Sequence, residues 1–230
     1  MRVQDQKGFT LIELMIASSV FAVVLLGAAA ALVQVSRLYY KGLISSQTQG
    51  VARTTIDEVS RAIQFSGEEV VNVGPEVKGM SPNTIEVRAV CVGTNRYTYA
   101  VNAQVNDAAT TYTGSSAGRN IPHALWKDTV TSPSECDPDP DSDSQDDLPD
   151  LTSNSLSNGR ELLEQNMRLK SFVVNSVANN LYGVSIGIIY GADELLLPDA
   201  SNPASCVGSV VGGQWCAVSE LSTQVFKRIQ

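Results

Sequence analysis

The amino-acid sequence predicts an α+β fold, in which one long amino-terminal helix precedes a head built on antiparallel β-sheet. Three observations carry that expectation. No proline occurs before Pro75, and no turn cluster interrupts residues 9–64. Apolar residues then recur at helical spacing as far as Ile63. Beyond it, apolar and polar residues alternate at a period of two in segments joined by short Gly and Asn turns, without the strand-helix-strand rhythm of a parallel sheet.

The first element opens after a polar leader, MRVQDQKG, with Arg2 and Lys7 as its cations. From Phe9 to Val35 the only ionisable residue is Glu13. Those 27 residues reach roughly 40 Å as a helix, enough to cross a hydrocarbon layer of about 30 Å with the leader on the cytoplasmic side. A secretory signal peptide competes with this reading, because Gly27 to Ala31 offers small residues for cleavage. Glu13 argues against it. A carboxylate within an apolar run costs a few kcal/mol unless it lies at the interface or has a partner. It therefore asks for a function beyond snorkelling toward headgroups.

Nothing in the pattern stops the helix between residues 9 and 64, about 84 Å at 1.5 Å per residue. Up to residue 35 it is apolar on every side. From Ile44 the apolar positions narrow to one stripe of Ile44, Val51, Ala52, Ile56, Val59, Ala62 and Ile63, which suits packing on a sheet. Arg53, Asp57 and Arg61 occupy the opposite face and read as solvated. Phe65-Ser66-Gly67 ends the helix, with Gly67 expected as a left-handed stop.

Thr84–Val92 and Arg96–Val105 read as two strands joined by the three residues Gly93-Thr94-Asn95. Leu169–Val177 and Leu181–Tyr190 read as a second hairpin about Asn179-Asn180, and Leu221–Ile229 as a closing strand. Residues 106–160 are rich in Ser, Thr, Asn, Asp, Gly and Pro, with Ala124–Val130 as their one expected element. Long irregular stretches of this kind are functional or disordered.

The run Lys7-Gly8-Phe9-Thr10-Leu11-Ile12-Glu13-Leu14-Met15-Ile16-Ala17 resembles the class III signal of type IV pilins and pseudopilins over eleven consecutive residues. The resemblance implies a pilin-like fold, cleavage between Gly8 and Phe9 by a prepilin peptidase, and methylation of the new Phe9 amine. It also implies that Glu13 pairs with the Phe9 amine of an adjacent subunit during assembly. Physical chemistry is consistent with each role. Gly8 lets a protease approach the backbone closely, and a buried carboxylate left without its cation is the costly case.

The organisation so expected is a leader at 1–8, a membrane and filament-core segment at 9–35, an amphipathic segment at 36–65, and a head at 66–230. Implied partners are other pilin subunits, the peptidase and methylase, an inner-membrane assembly platform, and cytoplasmic-membrane lipid before assembly. The implied location is a single-pass position in that membrane with the head outside, then a cell-surface filament.

The four cysteines, Cys91, Cys136, Cys206 and Cys216, include no C-x-x-C pair, and the chain has one histidine, so a zinc site is disfavoured. In an exported head an even count favours two disulfides. Cys206 and Cys216 are nearest in sequence and are expected to pair, leaving Cys91 with Cys136; spacing alone leaves the other two connectivities open. A carboxy-terminal disulfide loop at 206–216 also resembles the pilin D-region.

No cofactor is expected, with calcium as the one candidate. Asp137 to Asp150 holds seven aspartates in fourteen residues. Counted from Asp139, acids fall at positions 1, 3, 5, 9 and 12 (Asp139, Asp141, Asp143, Asp147 and Asp150), but Ser144 stands where a calcium loop of the EF-hand type needs glycine. A hydrated acidic loop explains the run equally well. Gly114-Ser115-Ser116-Ala117-Gly118 matches a nucleophile elbow, yet it lies in a loop followed by Ile121-Pro122, and His123 is the only available imidazole. No enzymatic role is expected. Trp126 and Trp215 are expected to pack rather than to bind.

Sixteen basic and 24 acidic residues leave a net charge of −8, which argues against a direct electrostatic grip on nucleic acid. The leading expectation is a minor pilin. The 222-residue mature length, the long head loops and the Cys216-Ala-Val-Ser-Glu-Leu-Ser-Thr segment look most like the PilW type. A pseudopilin of a type II secretion or DNA-uptake machine, and a filament-tip adhesin using residues 106–160, are the alternatives.

Overall fold

The computed structural model describes residues 9–78, 84–106, 120–131, 136, 148–196, 205–207 and 213–228. The chain divides into two compact units, one ending at Tyr40 and the other beginning at Lys41. A single helix, α1 (Leu11–Phe65), contributes to both. Its first part is long and apolar enough to cross a membrane, and all side chains from Phe9 to Leu43 are exposed.

In the second unit the helix buries one face. Ile44, Ala52, Ile56, Val59 and Ile63 are in the core, with Val51 and Ala62 packed at its margin, while Arg53, Asp57 and Arg61 face outward. Thr48 and Thr55 share the buried face because each hydroxyl donates to the carbonyl four residues back, Ile44 and Val51, at 2.8 and 2.9 Å. The helix stops without the expected left-handed glycine: Gly67 has no positive φ. Instead the Ser66 amide completes the last turn on Ala62 O, and its hydroxyl bridges the amide and carbonyl of Glu68.

Among the described residues, ten strands form two five-stranded sheets. The first has the order β1 (Val70–Lys78), β2 (Ile85–Val92), β3 (Asn95–Tyr99), β6 (Leu125–Thr129), β7 (Gly159–Glu161), antiparallel throughout. The second has the order β10 (Ala217–Phe226), β9 (Leu181–Tyr190), β8 (Met167–Ala178), β4 (Gln104–Val105), β5 (Asn120–Ile121), with only the β4–β5 pair parallel. A long apolar amino-terminal helix with antiparallel-rich sheets is an α+β, pilin-like architecture. Tyr97 and Tyr99 of the first sheet meet Phe172 of the second at centroid distances of 6.5 and 5.2 Å, and the helix face closes onto the same core.

Several boundaries differ from the sequence expectation. The segment expected as one strand over Arg96–Val105 is two. β3 ends at Tyr99, Asn102 adopts a left-handed φ of 62°, and the chain crosses to the other sheet, where Gln104 pairs with Arg168. Fully buried Ala100 and Ala103 leave room for that crossing. The β2–β3 connection has two residues, since Val92 pairs directly with Asn95 and Gly93 takes the positive φ. The closing strand starts earlier, at Ala217, because β10 pairs with β9 along its whole length. β1 was not expected from the sequence. Its register breaks between Val73 and Glu76 around Gly74-Pro75, and Gly74, at φ 100°, leaves no room for a Cβ, which would stand 3.0 Å from Val87 O.

Candidate functional site

The amino-terminal segment begins with a closed arrangement of two side chains. Thr10 precedes the first helical residue, and its amide and hydroxyl both donate to Glu13 Oε2 at 2.9 and 2.8 Å, while the Glu13 amide donates back to Thr10 Oγ1 at 3.4 Å. This is a reciprocal cap. It satisfies amides that a helix start leaves open, and it places a carboxylate at the positive end of the helix dipole. This local role of Glu13 was not expected beside its pairing with another subunit; the Thr10-x-x-Glu13 spacing is the sequence signal for it.

Phe9, directly before the cap, is 80% exposed, and the apolar side chains that follow it, among them Leu11, Phe21 and Leu26, are exposed as well. Ser18 and Ser19 do not interrupt its apolar character. Each hydroxyl donates to a carbonyl of its own helix, Met15 O at 3.0 Å and Ile16 O at 2.8 Å, as a lipid or helix-bundle environment requires. Gly8 lies outside the described residues.

Within the second unit, Glu58 fastens the helix to the first sheet. Its Oε1 accepts from Lys127 Nζ at 2.6 Å on β6, and its Oε2 accepts from Arg160 Nη2 at 2.5 Å on β7. Burial pushes the Glu58 carboxyl up, but these two charged donors outweigh it and hold the group below its ordinary range. Beneath it, burial pushes the Tyr97 phenol well above its ordinary value, and the Glu58 charge adds to that. Near the start of the amphipathic segment, Gln47 donates to Glu164.

Cys91 is joined to Cys136, tethering β2 to the start of the acidic stretch, and Cys206 is joined to Cys216 just before β10. Of the calcium candidates, Asp139, Asp141, Asp143 and Asp147 lie outside the described residues. Asp150 is described, and its Oδ1 accepts from the Thr152 amide and hydroxyl at 3.0 and 2.6 Å, a local turn bond. Ser116 and its flanking glycines also lie outside. His123 packs tilted against Trp126, with ring centroids 4.4 Å apart, and sits 3.6 Å from Glu161, whose carboxylate accepts the amides of Ala124, Leu125 and Leu163. Glu161 thus fixes the backbone where β6 and β7 meet. Trp126 is buried as expected, whereas Trp215 is 43% exposed.

Residues 4–29 match the family model described as the prokaryotic N-terminal methylation motif. No curated protein and no solved structure matches the chain. The motif is the class III signal of the type IV pilin family, and with the α+β architecture it supports a type IV pilin-like or pseudopilin protein. It implies processing by a prepilin peptidase, membrane anchoring through the apolar helix, and later assembly with other pilins.

Proposed function

We propose that the protein is a minor pilin, a structural subunit of a type IV pilus-like filament. The precursor sits in the cytoplasmic membrane with its head outside. Hydrolysis of the Gly8–Phe9 peptide bond releases the leader as a carboxylate and leaves Phe9 with a free amine, which is then methylated. The helix exchanges lipid for neighbouring helices at little hydrophobic cost, since both surroundings are apolar. Glu13, already placed by Thr10, then offers its remaining acceptor sites to the Phe9 amine of an adjacent subunit and sets axial register.

The observation that carries this reading is the methylation motif running directly into a capped, apolar helix. The length of the head and its two disulfides favour a pilus over a secretion pseudopilin. Mass analysis of the amino terminus in sheared surface material tests it. A methylated Phe9 start in filament fractions is expected; a soluble product beginning after the alanines at 28–31 would overturn it.

A further inference from the structure

The four outer edges of the two sheets are not alike. β5 and β7 are two and three residues long. β1 has nine residues but carries Gly74-Pro75, a register break and the charged pair Glu76 and Lys78. Each of these three is blunted in a way that opposes pairing with another chain. β10 is not. Its ten residues, Ala-Val-Ser-Glu-Leu-Ser-Thr-Gln-Val-Phe, contain no proline, lysine or arginine, and they pair with β9 without a register shift, while among the described residues their other side has no strand neighbour.

The single charge on this strand is drawn away from the edge. Glu220 reaches back across the sheet to Lys170 of β8 at 2.5 Å. The strand between them has Gly187 at that position, where a Cβ would lie 2.8 Å from Ser171 Oγ and 3.2 Å from Lys170 Cβ. The glycine opens the path for the ion pair, which compensates the one carboxylate of the strand from the β8 side while its side chain stays 59% exposed. On the inner face, Leu221 and Thr223 stay half-exposed, and on the outer face Phe226 is 62% exposed. A further strand alongside would cover these groups.

From this asymmetry we infer that β10 is a docking edge, completed by an extended strand from the head of a different pilin-type subunit. The fitting strand is neutral opposite Glu220, carries apolar or β-branched residues toward Leu221 and Thr223, and gains its affinity from main-chain hydrogen bonds. The identity of the partner class rests on the minor-pilin reading, in which this chain is surrounded by other subunits. Two copies joined β10 to β10 would be related by a two-fold axis, whereas subunits of one filament all point the same way.

The test is a photo-crosslinking amino acid in place of Gln224 in the full chain, in intact cells, with adducts identified by mass spectrometry in filament and membrane fractions. An adduct with another protein that starts with a methylated amino terminus is expected, reduced at least tenfold by Ser222→Lys. Asn175→Lys, on the exposed face of β8 away from the edge, should leave it unchanged. Both variants should retain two disulfides by mass, showing a folded head. An adduct only with a second copy of this chain, no adduct in either fraction, or insensitivity to Ser222→Lys would overturn the inference. If the chain is absent from filaments, the minor-pilin reading fails separately, and the membrane fraction alone decides the docking edge.

Discussion

Thr10 and Glu13 close on each other at the head of α1, the threonine amide and hydroxyl both converging on one carboxylate oxygen. The acid is thereby held in a defined place before any other subunit is present. Thr10→Val removes the hydroxyl that anchors Glu13 and should loosen the helix start. Cleavage at Gly8 should persist while incorporation into filaments falls several-fold, and Thr10→Ser should restore it. Immunoblotting of sheared filaments against the membrane fraction reads the ratio.

Glu13→Ala should be more severe than Thr10→Val. It removes the cap and also the charge that meets a neighbouring amine, so insertion and cleavage should proceed while filament incorporation drops by at least tenfold. Equal incorporation of Glu13→Ala and wild type would sink the register argument.

Gly8→Ala should slow processing, and Gly8→Leu should leave the precursor uncut, because a side chain there obstructs close approach of a protease to the backbone. Intact-mass measurement of the membrane fraction separates the full-length and shortened forms. Rapid cutting of Gly8→Leu would count against cleavage at this bond.

Periodicity made some parts of this fold readable and sequence distance hid others. The stripe from Ile44 to Ile63 is visible because its period matches the helix it belongs to, and the β8–β9 hairpin because ten alternating residues follow Asn179-Asn180. β1 is hidden by Gly74-Pro75, which looks like a terminator but sits at a register break inside a strand. The β3–β4 switch is hidden because alternation continues through Ala100 to Ala103 while the backbone changes sheets. The cap was readable from Thr10 and Glu13 alone. The Glu58 clasp was not, since its cations lie 69 and 102 residues away and only the finished sheet brings them together.

That clasp predicts an acid-sensitive head. Glu58 is held below its ordinary pKa by Lys127 and Arg160 in the folded chain, so its charged form stabilises the fold. This contribution is fully present above the ordinary carboxylate range and is lost as pH falls through the lowered folded value. Glu58→Gln should lower stability at pH 7 by about 1 kcal/mol, because the Arg160 arm, 65% exposed, is screened by solvent, and should flatten the acid limb of the stability profile. Urea midpoints from pH 7 to pH 3 test it; an unchanged acid limb would show that other carboxylates set it.

The two disulfides should differ in what they contribute. Cys91–Cys136 closes a separation of 45 residues and Cys206–Cys216 one of 10. Chain entropy assigns about 4 kcal/mol to the longer loop and about 3 kcal/mol to the shorter. Both members of the longer pair are buried, at 2% and 6% exposure, within the main core, whereas Cys206 is only half-buried beside a small satellite cluster of Ile189, Leu196 and Cys216. Replacing Cys91 and Cys136 by serine also places two hydroxyls in apolar surroundings. The Cys91→Ser, Cys136→Ser double variant should therefore lose more stability than Cys206→Ser, Cys216→Ser, measured as the shift in urea midpoint of oxidised protein in detergent. The reverse order would mean that the short loop is needed to hold β10 against β9, a role that chain entropy does not supply.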